Sequence, residues 1–122
     1  MGKENISWKA GETIYKVGDE PDFAYLLTTG EIEIISDKGT RVGFINEDEV
    51  FGELSILLNT KRTVTAVALK KSKALLIPKK NLINDYNKTF FIIKAILRST
   101  YMRLTNLNST IKIDLESLNK KV

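Results

Sequence analysis

Glycines divide the first half of the sequence into short segments, and this division limits the folds open to the chain. They recur at intervals of about ten residues, at Gly11, Gly18, Gly30, Gly39 and Gly52. Asp37-Lys38-Gly39 has the composition of a tight hairpin turn. Many short strands with evenly spaced turns predict an antiparallel sandwich or barrel, and a jelly-roll-like β-roll fits best. The predicted strands are Thr13–Val17, Phe23–Thr29, Glu31–Ser36, Thr40–Ile45, Thr63–Leu69 and Ser72–Ile77.

The sequence pattern becomes helical after Pro78. From there to the end the chain contains neither Gly nor Pro, and proline suits the first turn of a helix. A short helix is predicted near Lys79–Tyr86 and a long one from about Thr89 to Leu118. The length of 122 residues predicts a single domain, with a β-roll over residues 1–78 and a C-terminal helical lid and dimerisation segment over residues 79–122.

Composition removes several classes of function. The absence of His and Cys excludes imidazole bases, thiolate or imidazole metal sites and disulfides. Carboxylate pairs such as Glu31 and Glu33 alternate with isoleucines, which is typical of a solvated strand face, so we expect no enzyme and no cofactor. No apolar run approaches the roughly 20 residues of a membrane span, so no membrane contact is expected, and the absence of Cys predicts a protein of the reducing cytoplasm. The net charge of +4 comes from scattered basic residues, so no direct nucleic-acid binding is expected.

The segment 51–65, FGELSILLNTKRTVT, carries the clearest chemical signal. Its apolar run predicts a short helix, whose first backbone N–H groups, from Leu54 onward, are unpaired and attract anions. Gly52 lets the backbone approach a ligand closely, and the guanidinium of Arg62 suits a phosphate. The Glu53 carboxylate can accept hydrogen bonds from hydroxyls such as those of a ribose. Together these residues predict a pocket for a sugar phosphate.

The same segment resembles a known family. Phe51-Gly52-Glu53-Leu54, seven residues, and then Arg62-Thr63 closely resemble the phosphate-binding cassette of the cyclic nucleotide-binding domain family. That family includes the catabolite activator protein, the regulatory subunits of protein kinase A and cGMP-dependent protein kinase. The resemblance covers roughly residues 8–105. Outside the cassette, the chain resembles the family's β-roll at several turn and strand residues, namely Gly11-Glu12, Val17-Gly18-Asp19, Tyr25 and Thr29-Gly30.

The resemblance implies that the chain binds cAMP or cGMP and implies how it holds the sugar phosphate. Glu53 would accept a hydrogen bond from the ribose 2′-hydroxyl, while Arg62 and the amides of Leu54 and Ser55 would hold the cyclic phosphate. Phe51 and Leu54 belong to the same cassette and are also expected to pack in the core. The alternative for Glu53 and Arg62 is a mutual surface ion pair that caps a loop.

For the base, the resemblance implies contacts at Val42 and Gly43 on the roll. A hydroxyl residue after the arginine, here Thr63, is compatible with a guanine amino group, but cAMP-binding relatives also carry Ser or Thr there. A solvent-facing strand threonine is equally consistent with the sequence. The choice of base stays open, with a slight preference for cAMP. The chain departs from the common family pattern at Asn59 and Lys61, where many members have Gly and Pro.

The long helix carries a heptad pattern. Its apolar seam is interrupted by a single Asn at an a position, Asn108, which is typical of a register-fixed parallel dimer. The resemblance also places Asn108 near the base. The alternative is a stripe that packs on the roll of its own chain. The seam consists of Leu97, Tyr101, Leu104, Asn108, Ile111, Leu115 and Leu118.

Two functions follow from the sequence. The first is a regulatory module that binds a cyclic nucleotide, forms a homodimer and relays occupancy through its C-terminal helix to an effector protein. The second is a degenerate β-roll that acts as a dimerisation or docking module without ligand. The intact pair of Glu53 and Arg62 favours the first.

Overall fold

The computed structural model describes the backbone of residues 4–113 and the side chains of residues 4–103. Over this range the chain forms eight strands and three helices. In chain order they are β1 (Asn5–Trp8), β2 (Thr13–Tyr15), β3 (Phe23–Thr29), β4 (Ile32–Ile35), β5 (Arg41–Ile45), β6 (Val50–Phe51), α1 (Glu53–Leu57), β7 (Thr65–Ala68), β8 (Ser72–Pro78), α2 (Lys79–Lys88) and α3 (Phe91–Ile113). The six predicted strands are all present, with β3 at the predicted bounds, whereas β1 and β6 were not predicted.

The strands form two four-stranded antiparallel sheets, in the orders β1-β8-β3-β6 and β2-β7-β4-β5. All neighbouring strands in the first sheet are distant in sequence, and in the second sheet only β4 and β5 are consecutive, so the chain passes repeatedly between the sheets. The predicted turn at Asp37-Lys38-Gly39 joins β4 to β5, and the Ser36 amide donates to the Thr40 carbonyl at 2.8 Å. This confirms the β-roll predicted from the turn spacing.

An aromatic cluster occupies the core between the sheets. Tyr25 is central, with the Phe51 ring stacked at 5.0 Å between centroids and the Trp8 ring edge-on at 5.5 Å. Tyr15 stacks on both Tyr25 and Phe51. Small or aliphatic residues complete the core, namely Leu27, Ile32, Ala66, Ala68 and Ala74. Because each ring comes from a different strand, the cluster holds both sheets in register.

The helices begin close to their predicted positions. α2 begins at Lys79, directly after Pro78, and α3 begins at Phe91 rather than Thr89. The Thr89 amide donates to the Tyr86 carbonyl, and the Tyr86 hydroxyl donates to the Lys94 carbonyl at 3.3 Å, which fixes the turn between the two helices.

The chain divides into two compact units, residues 1–84 and residues 85–122. The first unit therefore includes the start of α2, six residues beyond the division predicted at Pro78. Among the described helices, none is long and apolar enough to cross a membrane. The predicted end of α3 at Leu118 lies outside the described residues, as do Leu115 and the last turn of the predicted seam.

Candidate functional site

The predicted cassette forms a short helix with well-defined ends. Gly52, at the N-cap, has a left-handed backbone with φ of 80°, and α1 begins one residue earlier than predicted, at Glu53. At the other end, the Asn59 amide donates to the Ile56 carbonyl and the Thr60 amide to the Ser55 carbonyl. These two bonds form a Schellman motif, in which the residue after the C-cap adopts the left-handed conformation.

Asn59 is that left-handed residue, with φ of 56°. Asparagine is the best substitute for glycine in this region of backbone space, because its short polar side chain can bond locally. The departure from the family's common glycine therefore preserves the backbone shape of the cassette. Lys61, the other departure, lies on the surface, 3.9 Å from Glu20 in an exposed ion pair.

The backbone of Arg62 is held by the loop between β2 and β3. The Gly18 amide donates to the Arg62 carbonyl at 2.8 Å, and the Arg62 amide donates to the Asp19 carbonyl at 2.9 Å. This pairing brings the far end of the cassette back beside its start. It explains why Val17-Gly18-Asp19 and Arg62 belong to one site although they are far apart in sequence.

The Arg62 side chain is directed into the protein and is 4% exposed. Its Nη1 donates to the Gly52 carbonyl at 2.6 Å and its Nη2 to the Phe23 carbonyl at 2.5 Å. Its Nε is buried and has no hydrogen-bond partner among the residues that the structure describes. The guanidinium lies over the Tyr15 ring, 3.9 Å from its centroid. The alternative of a surface ion pair does not describe this arginine, because it is buried.

The charges of Glu53 and Arg62 both influence the pKa of the Tyr15 hydroxyl. Burial raises the pKa of Tyr15 from 10.0 to about 12; the Arg62 cation opposes this shift and the Glu53 carboxylate adds to it. Burial also raises the pKa of Tyr25. Both phenols therefore stay protonated at neutral pH, and Arg62 provides a buried positive charge beside the first turn of α1.

Gly43 leaves open space on the inner side of the second sheet. It pairs with Ile34, which packs against the core, so both positions face the interior. A Cβ atom added at Gly43 would meet no heavy atom within 4 Å in the described part of the chain, apart from its chain neighbours. Val42, the residue before it, is 58% exposed. The roll therefore has room beside the two residues expected to contact a base.

The remaining predicted residues fall into three environments. Phe51 packs in the aromatic core, which anchors the start of the cassette to the roll. Ser55 is buried, and its Oγ donates to the Lys61 carbonyl at 3.4 Å, across the cassette. Thr63 is exposed just before β7. The Asn108 side chain lies outside the described side chains, so its predicted place near the base stays a prediction.

Sequence reasoning missed Tyr15, which contacts the guanidinium directly. The residue occurs in a three-residue strand, and nothing local distinguishes it from the other aromatic residues of the roll. Arg62 lies 47 positions further along the chain. The contact between Tyr15 and Arg62 can be inferred only once the pairing of β2 with β7 is known, because that pairing brings the two residues together.

The jelly-roll sheets, the short helix between β6 and β7 and the buried Arg62 define a β-roll domain with a buried cation beside the start of α1. A sequence model of the cyclic nucleotide-binding domain matches residues 5–88. The chain belongs to the cyclic nucleotide-binding domain family.

The chain is similar to parts of larger proteins. A cAMP-dependent protein kinase regulatory subunit of Debaryomyces hansenii is 37% identical over 68 residues, which cover 56% of this chain and 14% of that protein. A second, of Yarrowia lipolytica, is 39% identical over 59 residues, covering 48% of this chain and 16% of that protein. A cGMP-dependent protein kinase of Toxoplasma gondii is 29% identical over 71 residues, covering 57% of this chain and 7% of that protein.

Solved structures show the same fold. The EAL enzyme Bd1971 in its form with cAMP and cyclic-di-GMP bound has a TM-score of 0.80 at 21% identity, covering 95% of this chain and 31% of that one. The cAMP-bound PfPKA-R has a TM-score of 0.67 at 27% identity, covering 91% of this chain and 40% of that one. The chain therefore corresponds to one part of these longer proteins.

Proposed function

We propose that this domain binds a cyclic nucleotide, cAMP or cGMP, in the β-roll beside α1. The relatives include regulatory subunits of cAMP-dependent protein kinase and a cGMP-dependent protein kinase, which supports this ligand class. They do not select between the two bases. An exposed Thr63 is compatible with either, and the slight preference for cAMP stays a prediction.

The buried Arg62 guanidinium is the observation that carries the proposal. A cation withdrawn from water is stabilised poorly by two carbonyl dipoles and a ring alone, and a buried N–H without an acceptor adds a further penalty. The equatorial oxygens of a cyclic phosphate would supply the missing acceptor at Nε and a negative charge beside the guanidinium. An anion would therefore complete the hydrogen bonding of Arg62.

The neighbouring groups suit the rest of the ligand. Glu53, at the first position of α1, would accept a hydrogen bond from the ribose 2′-hydroxyl, and the Leu54 and Ser55 amides would donate to the phosphate because a helix leaves its first N–H groups unpaired. Val42 and Gly43 would pack against the base, where the interior is open.

Calorimetry and thermal unfolding test this proposal. At about a hundred times its dissociation constant, cAMP or cGMP should stabilise the domain by roughly 2.7 kcal/mol, which raises the melting temperature by on the order of 10 °C. The non-cyclic 5′-monophosphates are the controls, and we expect much smaller shifts. No shift with either cyclic nucleotide at millimolar concentration would exclude this function and favour a docking module with an empty roll.

Two arginines that each lie over an aromatic ring, one buried and one exposed, provide a test of the site. Arg62→Ala should weaken nucleotide binding by about 2–5 kcal/mol, because it removes the charge on the phosphate. Arg41 also lies over an aromatic ring, Phe44, at 5.0 Å, but it is exposed and paired with Glu33 on the outer face. Arg41→Ala should bind as the parent does. Since Arg62 also bonds two carbonyls, the folding stability of each variant is measured alongside, and equal binding by Arg62→Ala would reject the cassette as the site.

A bulky residue on the inner face tests where the base lies. Gly43 has an ordinary backbone conformation and open space around it, so Gly43→Leu should fold. If the base occupies this space, the variant loses affinity while its melting temperature without ligand changes little. Unchanged affinity would place the base elsewhere in the roll.

We further propose that α3 relays occupancy through a homodimer. The beginning of α3 exposes large apolar side chains, and Leu97, the first residue of the predicted seam, is 37% exposed. Sedimentation of the parent and of Asn108→Leu, with and without nucleotide, tests this. The variant should associate more strongly and lose the dependence on ligand, because a buried Asn fixes register at a cost in stability. A parent that stays monomeric at high concentration in both states would reject the dimer.

The proposed role is regulatory rather than catalytic. The matching family describes a binding domain, and two of the most similar relatives are named as regulatory subunits. That this domain catalyses no reaction, acts without a cofactor and signals to an effector protein stays a prediction.

A further inference from the structure

The Arg62 guanidinium lies over the face of the Tyr15 ring. The Cζ of Arg62 is 3.9 Å from the centroid of the Tyr15 ring, a distance at which a cation is attracted by the ring face. Both side chains are buried, so the interaction is not weakened by water. The Gly52 and Phe23 carbonyls bond the two Nη atoms, so ring and carbonyls together fix the position and the plane of the guanidinium.

The Tyr15 ring is itself held firmly. It stacks on Tyr25 at 6.4 Å and on Phe51 at 6.5 Å, with interplanar angles of 18° and 30°. Trp8 packs against Tyr25 and Phe51 from another direction. A ring supported in this way cannot turn aside without disturbing the core, so the surface beneath Arg62 is rigid.

We propose that Tyr15 is a positioning residue for the anion site: its ring fixes the Arg62 guanidinium so that the remaining donor, Nε, is presented to the ligand's phosphate. This inference rests on the proposed function. A guanidinium that is already held in place needs less ordering when the ligand arrives, whereas an arginine without this ring beneath it would have to be ordered by the ligand itself. The aromatic face, and not the hydroxyl, supplies the effect.

Two substitutions separate the ring from the hydroxyl. Tyr15→Phe retains the ring and should bind cAMP and cGMP within about twofold of the parent, while Tyr15→Leu should bind about tenfold more weakly or worse, the scale of a desolvated cation–π contact. Trp8→Leu is the control for general damage to the cluster, because it removes a ring that contacts Tyr25 and Phe51. Its affinity should stay within about threefold of the parent. Tyr15→Met, whose unbranched and flexible side chain adapts better to an irregular gap, replaces Tyr15→Leu if that variant does not fold.

A nuclear magnetic resonance signature reports the positioning without ligand. In the free protein, the Hε proton of Arg62, assigned by its absence in Arg62→Lys, should show a ring-current shift that persists in Tyr15→Phe and disappears in Tyr15→Leu. A folded Tyr15→Leu that binds within twofold of the parent, or a Trp8→Leu that binds as weakly as Tyr15→Leu, would overturn the positioning role and leave the proposed function intact. A parent that binds neither nucleotide would overturn both, whatever the Hε shift shows.

Discussion

The β-roll and helix α3 differ in how far their apolar side chains are buried. In the roll, Leu27 and Ile32 are completely buried and the aromatic rings pack on one another. In α3, Phe91 is 81% exposed and Ile92 60% exposed, although both are at least as apolar as the core residues. The roll completes its own core, whereas α3 carries apolar surface that its own unit does not cover.

The exposed residues of α3 also lie on more than one side of the helix. Leu97 lies on the predicted heptad seam, Ile92 and Ile96 form a second stripe four residues apart, and Phe91 lies outside both. A strict coiled coil needs only one narrow stripe. Among the described residues, the comparison therefore indicates that the apolar core lies in the roll, whereas exposed apolar side chains concentrate in the first turns of α3.

The largest expected difference between the two regions is the cost of removing one apolar side chain. Leu27→Ala should lower the free energy of unfolding by about 2–5 kcal/mol, because it leaves a cavity in a closed core. Phe91→Ala should change it by less than about 0.5 kcal/mol, because the ring is already in water. Urea unfolding, followed by the fluorescence of Trp8, measures both. Similar losses for the two variants would show that α3 is part of the core and would end the contrast.

The next effect is a loss of stability at high pH that arises from a buried tyrosine of the roll. The pKa of Tyr15 is about 12 when folded and near 10 when unfolded. The folded state therefore holds the proton more tightly, and the stability gained is fully present below pH 10 and lost as the pH rises to about 12. The loss is about 3 kcal/mol on an order-of-magnitude scale.

Urea midpoints at pH 9 to 12 test this dependence. Tyr15→Phe should flatten the decline, leaving the part due to Tyr25, whose pKa burial also raises. Identical declines in parent and variant would mean that Tyr15 is not enclosed beneath Arg62 in solution.

A smaller loss of stability is expected when alanine replaces Gly52 in the candidate site or Gly39 in an ordinary turn of the roll. Gly52 and Gly39 have nearly the same left-handed backbone, with φ of 80° and 83°. Alanine at either position should cost about 1–2 kcal/mol of stability from the backbone alone. A Cβ at Gly52 would also lie 3.1 Å from Arg62 Nη1, whereas at Gly39 it would meet no atom within 4 Å in the described part of the chain, apart from its chain neighbours.

Nucleotide affinity then decides between the two glycines. Gly52→Ala should bind more weakly because the guanidinium is displaced, and Gly39→Ala should bind as the parent does. Equal affinity for both variants would show that the position of the guanidinium does not matter for the ligand.

The smallest expected effect is at the rim of the cassette, where the roll is exposed. Asn59→Gly should change the free energy of unfolding by less than about 0.5 kcal/mol, while Asn59→Ala should lower it by about 1 kcal/mol, because alanine is strained in the left-handed conformation. The same urea titrations check this pair. A loss with glycine as large as with alanine would assign Asn59 a side-chain role in place of a backbone one.

Local pattern was enough to predict much of this fold. Turn glycines and β-type segments predicted the strands from Thr13 to Ile77, and the absence of Gly and Pro after Pro78 predicted the helices. The strand β1 was missed although Ile6 and Trp8 alternate with polar residues, because the run is only four residues long. The strand β6 has two residues, and no periodicity exists over that length.

The sequence by itself determined the candidate site's chemistry: a glycine that permits a left-handed turn, a carboxylate, a short helix and an arginine at family spacing. Only the tertiary structure decided that Arg62 is buried, that it bonds the Phe23 carbonyl 39 positions away, and that Tyr15 lies beneath it. The physical reason is that turns and short helices depend on neighbouring residues, whereas the surroundings of a side chain depend on which strands pair. Pairing such as that of β2 with β7 is set by the closing of the whole core.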